Sequence, residues 1–160
     1  MFCLVTGAAG FIGSHVSREL LRRGWKVRGV DNFADFYARG MKEDNIADLR
    51  QHRDFELFEE DLVDCDPSPL LRDVKGVVHL AAQAGVRTSW GRDFRTYSDS
   101  NILATQRLLE SCRDSGVERF VYASSSSLYG ETQELPLRED APLLPLSPYG
   151  VSKLAAERLC

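Results

Sequence analysis

The chain has 160 residues, with 20 Lys+Arg against 24 Asp+Glu and a formal net charge of −4. A domain of this length buries about 70% of its unfolded surface, and 43% hydrophobic with 28% charged residues excludes a disordered or fibrous chain. The mild acidity excludes the basic footprint of a nucleic-acid or anionic-membrane binder, and no apolar run reaches the length of a spanning helix. The first residues, MFCLV, lack the basic-then-apolar pattern of a secretory signal, so a cytoplasmic protein is expected. Cys3, Cys65, Cys112 and Cys160 form no C-x-x-C pair, and His15, His52 and His79 show no metal-ligand spacing. Reduced thiols and no metal are expected.

Phe2–Thr6 reads as a short apolar strand, followed at once by the glycine-punctuated turn Thr6-Gly7-Ala8-Ala9-Gly10. Ile12, Val16 and Leu20 then recur at helical spacing until Gly24 stops the helix. Lys26–Val30 is a second strand, 41–51 a helix with Ile46 and Leu49 as its apolar side, and Phe55–Phe58 a third strand. Gly76–Leu80 is a fourth strand, apolar enough to be covered on both faces. Ser100–Arg113 gives a long helix with Ile102, Leu108, Leu109 and Cys112 available for burial. Arg119–Ala123 is a fifth strand that runs into four serines, Ser124–Ser127. A Pro/Leu-rich loop (135–148) precedes a last helix from about Tyr149. Strands alternating with helices predict one α/β domain over 1–160: a doubly wound, Rossmann-like parallel sheet.

Gly7, Gly10 and Gly13 follow a strand and open a helix, the pattern that lets a backbone approach a pyrophosphate at a helix N-terminus. Asp31 ends the second strand, 24 residues beyond Gly7, where an acid grips an adenosine ribose diol. An acid there repels a 2′-phosphate and favours NAD, although Arg28 and Arg39 keep NADP open. Asp61 and Leu62 follow the third strand, within reach of an adenine. The serines stand at the carboxyl edge of the sheet, as a ledge of hydroxyls. Tyr149 and Lys153 are four residues apart on one helix face. A phenol titrates near 10, and a nearby ammonium favours its phenolate, so the pair suits removal of a hydroxyl proton while hydride leaves the same carbon.

These motifs resemble the extended short-chain dehydrogenase/reductase family, in particular its nucleotide-sugar epimerases and dehydratases. The matching stretches are TGAAGFIGSH (6–15), VDNF (30–33), EDL (60–62), HLAAQAGVR (79–87), SNILATQRLLE (100–110), VYASSSSLYGE (121–131) and SPYGVSK (147–153). The resemblance implies NAD held by Gly7, Gly10, Phe11, Ile12 and Gly13 at the phosphates and by Asp31 and Asn32 at the ribose. It implies Asp61 and Leu62 at the adenine, Ala81, Ala82 and Gln83 along the nicotinamide half, and Asn101 ordering that region. Ser125, Tyr149 and Lys153 take the catalytic positions, with Tyr149 as base and Lys153 on the nicotinamide ribose. Arg87, Ser125, Ser126 and Tyr149 would meet a UDP- or other NDP-sugar.

Family dehydratases and decarboxylases carry carboxylates in the serine run, whereas Ser125-Ser126-Ser127 has none. The implied activity is therefore 4-epimerisation of a UDP-hexose or UDP-hexuronate through a 4-keto sugar, closest to UDP-glucuronate and UDP-glucose 4-epimerases. The alternatives are another NDP-sugar dehydratase, decarboxylase or reductase, or a non-catalytic NAD(H)-binding regulator. The helical pattern of 153–160, together with the resemblance, implies the N-terminal half of a longer, homodimeric enzyme. Its sugar-binding C-terminal part would lie outside these residues, leaving this half with weak NAD binding and little turnover by itself.

Overall fold

A computed structural model of the chain describes residues 1–131 and 135–160. Five parallel strands, β1 (Phe2–Thr6), β2 (Lys26–Asp31), β3 (Phe55–Glu59), β4 (Val74–His79) and β5 (Arg119–Tyr122), form one sheet in the order β3-β2-β1-β4-β5. The predicted doubly wound sheet is what forms. Successive strands are joined by crossovers, as parallel pairing requires. Those following β1 and β2 lead toward β3, and the chain then returns past β1 to β4 and β5.

Neighbouring residues of β1 face opposite ways, and the core divides accordingly. Leu4 packs with Val30, Val74, Val77, Ala104 and Leu108 on one face. Val5 packs with Ala8, Val27, Ile46, Leu49 and Phe55 on the other. Helix α1 (Phe11–Arg22) covers the second face, and α2 (Arg39–Ile46) follows it. The apolar stripe of α1 differs from the one expected: Val16, Leu20 and Leu21 lie against the core, but Phe11 and Ile12 are 70% and 61% exposed. Over the first two turns Gly13, Ser14 and Ser17 are buried instead, because only small residues fit where α1 meets β1. A Cβ on Gly13 would stand 2.1 Å from the Gly7 carbonyl oxygen.

The long helix starts earlier than predicted. Phe94–Tyr97 (α3) runs through a π-helical segment, Ser98–Leu103, into α4 (Ala104–Arg113). The polar stretch around Trp90 hides this start. The predicted helix over 41–51 spans only α2, followed by a single 3-10 turn, Leu49–Gln51. The fourth strand begins at Val74, two residues before the expected Gly76. Helix α5 (Pro148–Leu159) begins where the sequence places it, with Ser147 Oγ accepting from the Gly150 N–H at 3.0 Å and Pro148 in the first turn. No helix among the described residues is long and apolar enough to cross a membrane.

Two glycines, one inside α1 and one just past its end, separate close approach from backbone conformation. Gly13→Ala forces a methyl into backbone and should cost about 3 kcal/mol or more. Gly24 ends the helix at φ +82° with open space around it, so Gly24→Ala should cost only about 1–2 kcal/mol. Urea midpoints of the two variants check the ranking, and equal losses would contradict the packing account.

Candidate active site

The strand order reverses between β1 and β4, and a crevice opens there above the carboxyl ends, where ligands of open α/β sheets bind. It holds two hollows of about 220 and 550 Å³ that share Gly7, Gly10, Tyr37 and Leu80. The smaller is bounded by Asp31, Asn32, Asp61 and Leu62 and by Ala81, Ala82 and Gln83. The larger takes in Phe11, Ile12 and Gly13, which accounts for the exposure of the first two. All of the residues expected at a dinucleotide's phosphates, ribose and adenine thus line one continuous groove.

Its floor is built to receive an anion. Gly7 turns the chain at φ +67°, Gly10 N–H closes that turn onto the Gly7 carbonyl at 3.0 Å, and no side chain among the described residues caps the start of α1. The N–H groups of its first turn therefore face the groove at the positive end of the helix dipole. This cradle fits a pyrophosphate.

Asp31 is in place but more constrained than the sequence suggests. The residue is 6% exposed, and its carboxylate accepts from Ala9 N–H (3.1 Å), Phe33 N–H (2.8 Å) and Lys42 Nζ (2.9 Å). These bonds tie β2 to the glycine turn and leave acceptor capacity for a ribose hydroxyl. Lys42, which lines the same hollow, escaped the sequence reading: a lone lysine in a polar helix carries no signal until α2 folds over Asp31. Asn32 Nδ2 donates to Asp61 Oδ2 at 2.8 Å, and Asp61 Oδ1 accepts from Val63 N–H at 2.8 Å, so this pair braces the adenine end. Arg28 and Arg39 are committed elsewhere. Arg28 is buried, donating to the carbonyls of Leu70 and Arg72. Arg39 pairs with Glu43 and Glu59.

At the other end, Ser125 Oγ accepts from Ser127 N–H at 3.2 Å and caps a 3-10 turn, Ser126–Leu128. This leaves the Ser125 hydroxyl proton available to a ligand. The turn packs against the start of α5, so closely that a Cβ on Gly150 would stand 2.7 Å from the Ser127 carbonyl. The serine ledge and the helix carrying Tyr149 are thereby held together. Tyr149 rests edge-on against Tyr97, with ring centroids 6.2 Å apart. Tyr97 in turn meets the carbonyls of Ala84 and Gly85 and the Thr88 hydroxyl. Lys153 is 3% exposed; its ammonium lies 4.2 Å from the Tyr122 ring centroid and has no hydrogen-bond partner among the described residues. Burial pushes it down to about 8.

Asn101 is buried in the π segment, and its side chain brackets the backbone of Gln83. Ser126 is exposed beside Ser125. Arg87 lies exposed on the turn Arg87–Ser89 and is not part of the groove wall, so the structure does not join it to the other expected sugar contacts. No cluster of metal-binding side chains occurs among the described residues.

The Asp31–Lys42 pair is enclosed, with side chains 4% and 9% exposed. Lys42→Met strands the carboxylate and should destabilise the fold by about 2–3 kcal/mol at neutral pH, as read by denaturant unfolding. A loss below about 0.5 kcal/mol would mark the pair as a mere surface contact.

A sequence model of the GDP-mannose 4,6 dehydratase family matches residues 4–160. The chain is 47% identical, over its whole length, to an uncharacterized UDP-glucose epimerase of Bacillus subtilis, of which it covers 51%. It is 40% identical to the UDP-glucuronate 4-epimerase of Thermodesulfobacterium geofontis, over 99% of this chain and 50% of that protein. The UDP-glucuronic acid 4-epimerase of Bacillus cereus, solved with UDP-glucuronic acid and NAD, superimposes with a TM-score of 0.96 at 46% identity, over 100% of this chain and 51% of the other. The chain thus spans about half the length of the curated relatives it matches. With the glycine cradle, Asp31 and the Tyr149/Lys153 helix on one Rossmann-like sheet, this chain belongs to the GDP-mannose 4,6 dehydratase family, the extended short-chain dehydrogenase/reductases that include the nucleotide-sugar epimerases.

Proposed function

We propose that the protein is an NAD-dependent UDP-sugar 4-epimerase acting on a UDP-hexuronate or UDP-hexose. The observation that carries this reading is Lys153, a buried side chain whose ammonium has no protein hydrogen-bond partner among the described residues, one turn beyond Tyr149 on α5. Such a cation is costly unless a ligand uses it. In this reading it binds the nicotinamide ribose hydroxyls and favours the Tyr149 phenolate. Gly7, Gly10, Phe11, Ile12 and Gly13 hold the pyrophosphate, Asp31 and Asn32 the adenosine ribose, and Asp61 and Leu62 the adenine. Asp31 sets the preference for NAD over its 2′-phosphorylated form. When bound, NAD⁺ supplies the hydride acceptor and later returns the hydride.

Tyr149 takes the proton of the sugar 4-hydroxyl and restores it after the 4-keto sugar has turned its other face. Ser125 donates to the same oxygen and Ser126 borders it, in a turn that carries no carboxylate for eliminating water. Ala81, Ala82 and Gln83 wall the groove along the nicotinamide half. Arg87 meets the sugar nucleotide only if its turn moves toward the groove. The similarity to UDP-glucuronate 4-epimerases supports a uronate substrate. We assign the rest of the sugar nucleotide to a C-terminal part of the longer protein, which works as a cytoplasmic homodimer. Exposed apolar residues on the helices beside the site, Phe94, Leu103 and Val151 among them, support a subunit contact there.

Full-length protein with NAD⁺ should interconvert UDP-glucuronate and UDP-galacturonate, or the glucose pair, by chromatography. A dehydrated or decarboxylated product as the sole outcome would overturn the reading. Tyr149→Phe should lower kcat by about 10²–10⁴-fold with NAD⁺ affinity kept within about threefold. A near-normal rate would remove Tyr149 as the base.

A further inference from the structure

One buried ionisable side chain has no part in the chemistry above. His79, at the end of β4, is 1% exposed, and both of its ring nitrogens are engaged. Nδ1 lies 2.6 Å from Thr6 Oγ1, and Nε2 lies 2.9 Å from Thr105 Oγ1. The partners assign the protons. Thr105 donates its hydroxyl proton to the Asn101 carbonyl at 2.7 Å, so its oxygen accepts from Nε2–H. Nδ1 is then an acceptor, and Thr6 donates to it. The Thr6 oxygen keeps its lone pairs for the N–H groups of Leu80 (3.1 Å) and Ala81 (3.0 Å). Burial and the neighbouring Lys153 ammonium push the imidazole down to about 3, which keeps it neutral.

The chain of bonds runs on in both directions. Toward the groove, Thr6 fixes the lip at Leu80 and Ala81. Away from it, Thr105 leads to Asn101, whose side chain accepts from Gln83 N–H (2.7 Å) and donates to the Gln83 carbonyl (3.1 Å) and to Ser152 Oγ (2.9 Å). Ser152 donates to the Tyr149 carbonyl at 2.7 Å. Asn101 sits in the π segment, where the helical ladder is out of its normal register, and these side-chain bonds tie the segment to its neighbours. We propose that His79 is a positioning residue: by joining Thr6 to Thr105 it sets the spacing between the β4 lip of the groove and the helix that carries Tyr149 and Lys153.

The inference rests on the proposed epimerase reading only for its kinetic readout, so a second readout is independent of activity. In full-length protein, Thr105→Val removes the oxygen that His79 and Asn101 share and nothing in the groove wall. Reduction of bound NAD⁺ by UDP-sugar should slow by about tenfold while the NAD⁺ dissociation constant moves less than about threefold. Amide hydrogen exchange should rise in 149–153, far from residue 105 in sequence. His79→Gln, which can still donate to Thr105, should recover most of the rate relative to His79→Leu. Wild-type rate and exchange in Thr105→Val would overturn the proposal. So would rate, affinity and melting temperature falling together, because that marks a general loss of packing. If the wild-type protein reduces no NAD⁺ with any UDP-sugar, the epimerase reading fails. Exchange in 149–153 then decides the positioning claim alone: a rise supports it and no change overturns it.

Discussion

The parallel pairing of β1 with β4 brings Thr6 opposite His79, and the site is arranged around that seam. Here the connections diverge, so the sheet itself leaves a crevice. The seam also closes it from below: the Thr6 hydroxyl that meets the imidazole anchors the first two residues of the loop after β4. Strand pairing alone would leave that loop to settle by chance contacts. With the hydroxyl, its N–H groups are satisfied and its backbone becomes a fixed wall. The helices α4 and α5 are then referred to the same point through Thr105, Asn101 and Ser152.

Charge is distributed along the groove with opposite logic at its two ends. At the adenosine end the Asp31 carboxylate and the Lys42 ammonium neutralise one another, and Glu60 and Asp61 on the same wall leave that region acidic. At the far end Lys153 is buried against the Tyr122 ring without a hydrogen-bond partner among the described residues, and only the Coulombic pull of Cys160 and Glu157 works against the cost of its burial. Between them, the uncapped start of α1 presents N–H groups. An anionic linker with neutral riboses on either side matches this sequence of environments better than a compact anion would. The cost of burying the Lys153 charge is one that folds accept at sites of chemistry more readily than elsewhere.

Much of this was legible in the residues, for identifiable reasons. The strands are short apolar runs between glycines and polar turns, and each occupies the expected place. Gly7, Gly10, Gly13 and Asp31 could be read because their roles depend on backbone and on strand ends, which the local sequence determines. What stayed hidden depends on tertiary placement. Lys42 reaches Asp31 only after α2 folds back over β2. Tyr97 and the π segment escaped because the polar run Ser98-Asp99-Ser100-Asn101 offers no apolar period to follow. Exposure of Phe11 and Ile12 reverses the usual reading of apolar residues at helical spacing, since the groove, not the core, lies on that side. Arg28 keeps a 2′-phosphorylated cofactor open in the sequence because a charged residue in a strand looks available, whereas in the fold its guanidinium donates to the Leu70 and Arg72 carbonyls.

Reversible oxidation at one carbon, with the hydride returned to that same carbon, is the claim on which the functional account turns. UDP-glucuronate carrying deuterium at C4, incubated with the full-length protein and unlabelled NAD⁺, tests it most directly. The account predicts that the label remains at C4 in both epimers at equilibrium. Label lost to solvent or found at another sugar carbon would contradict it.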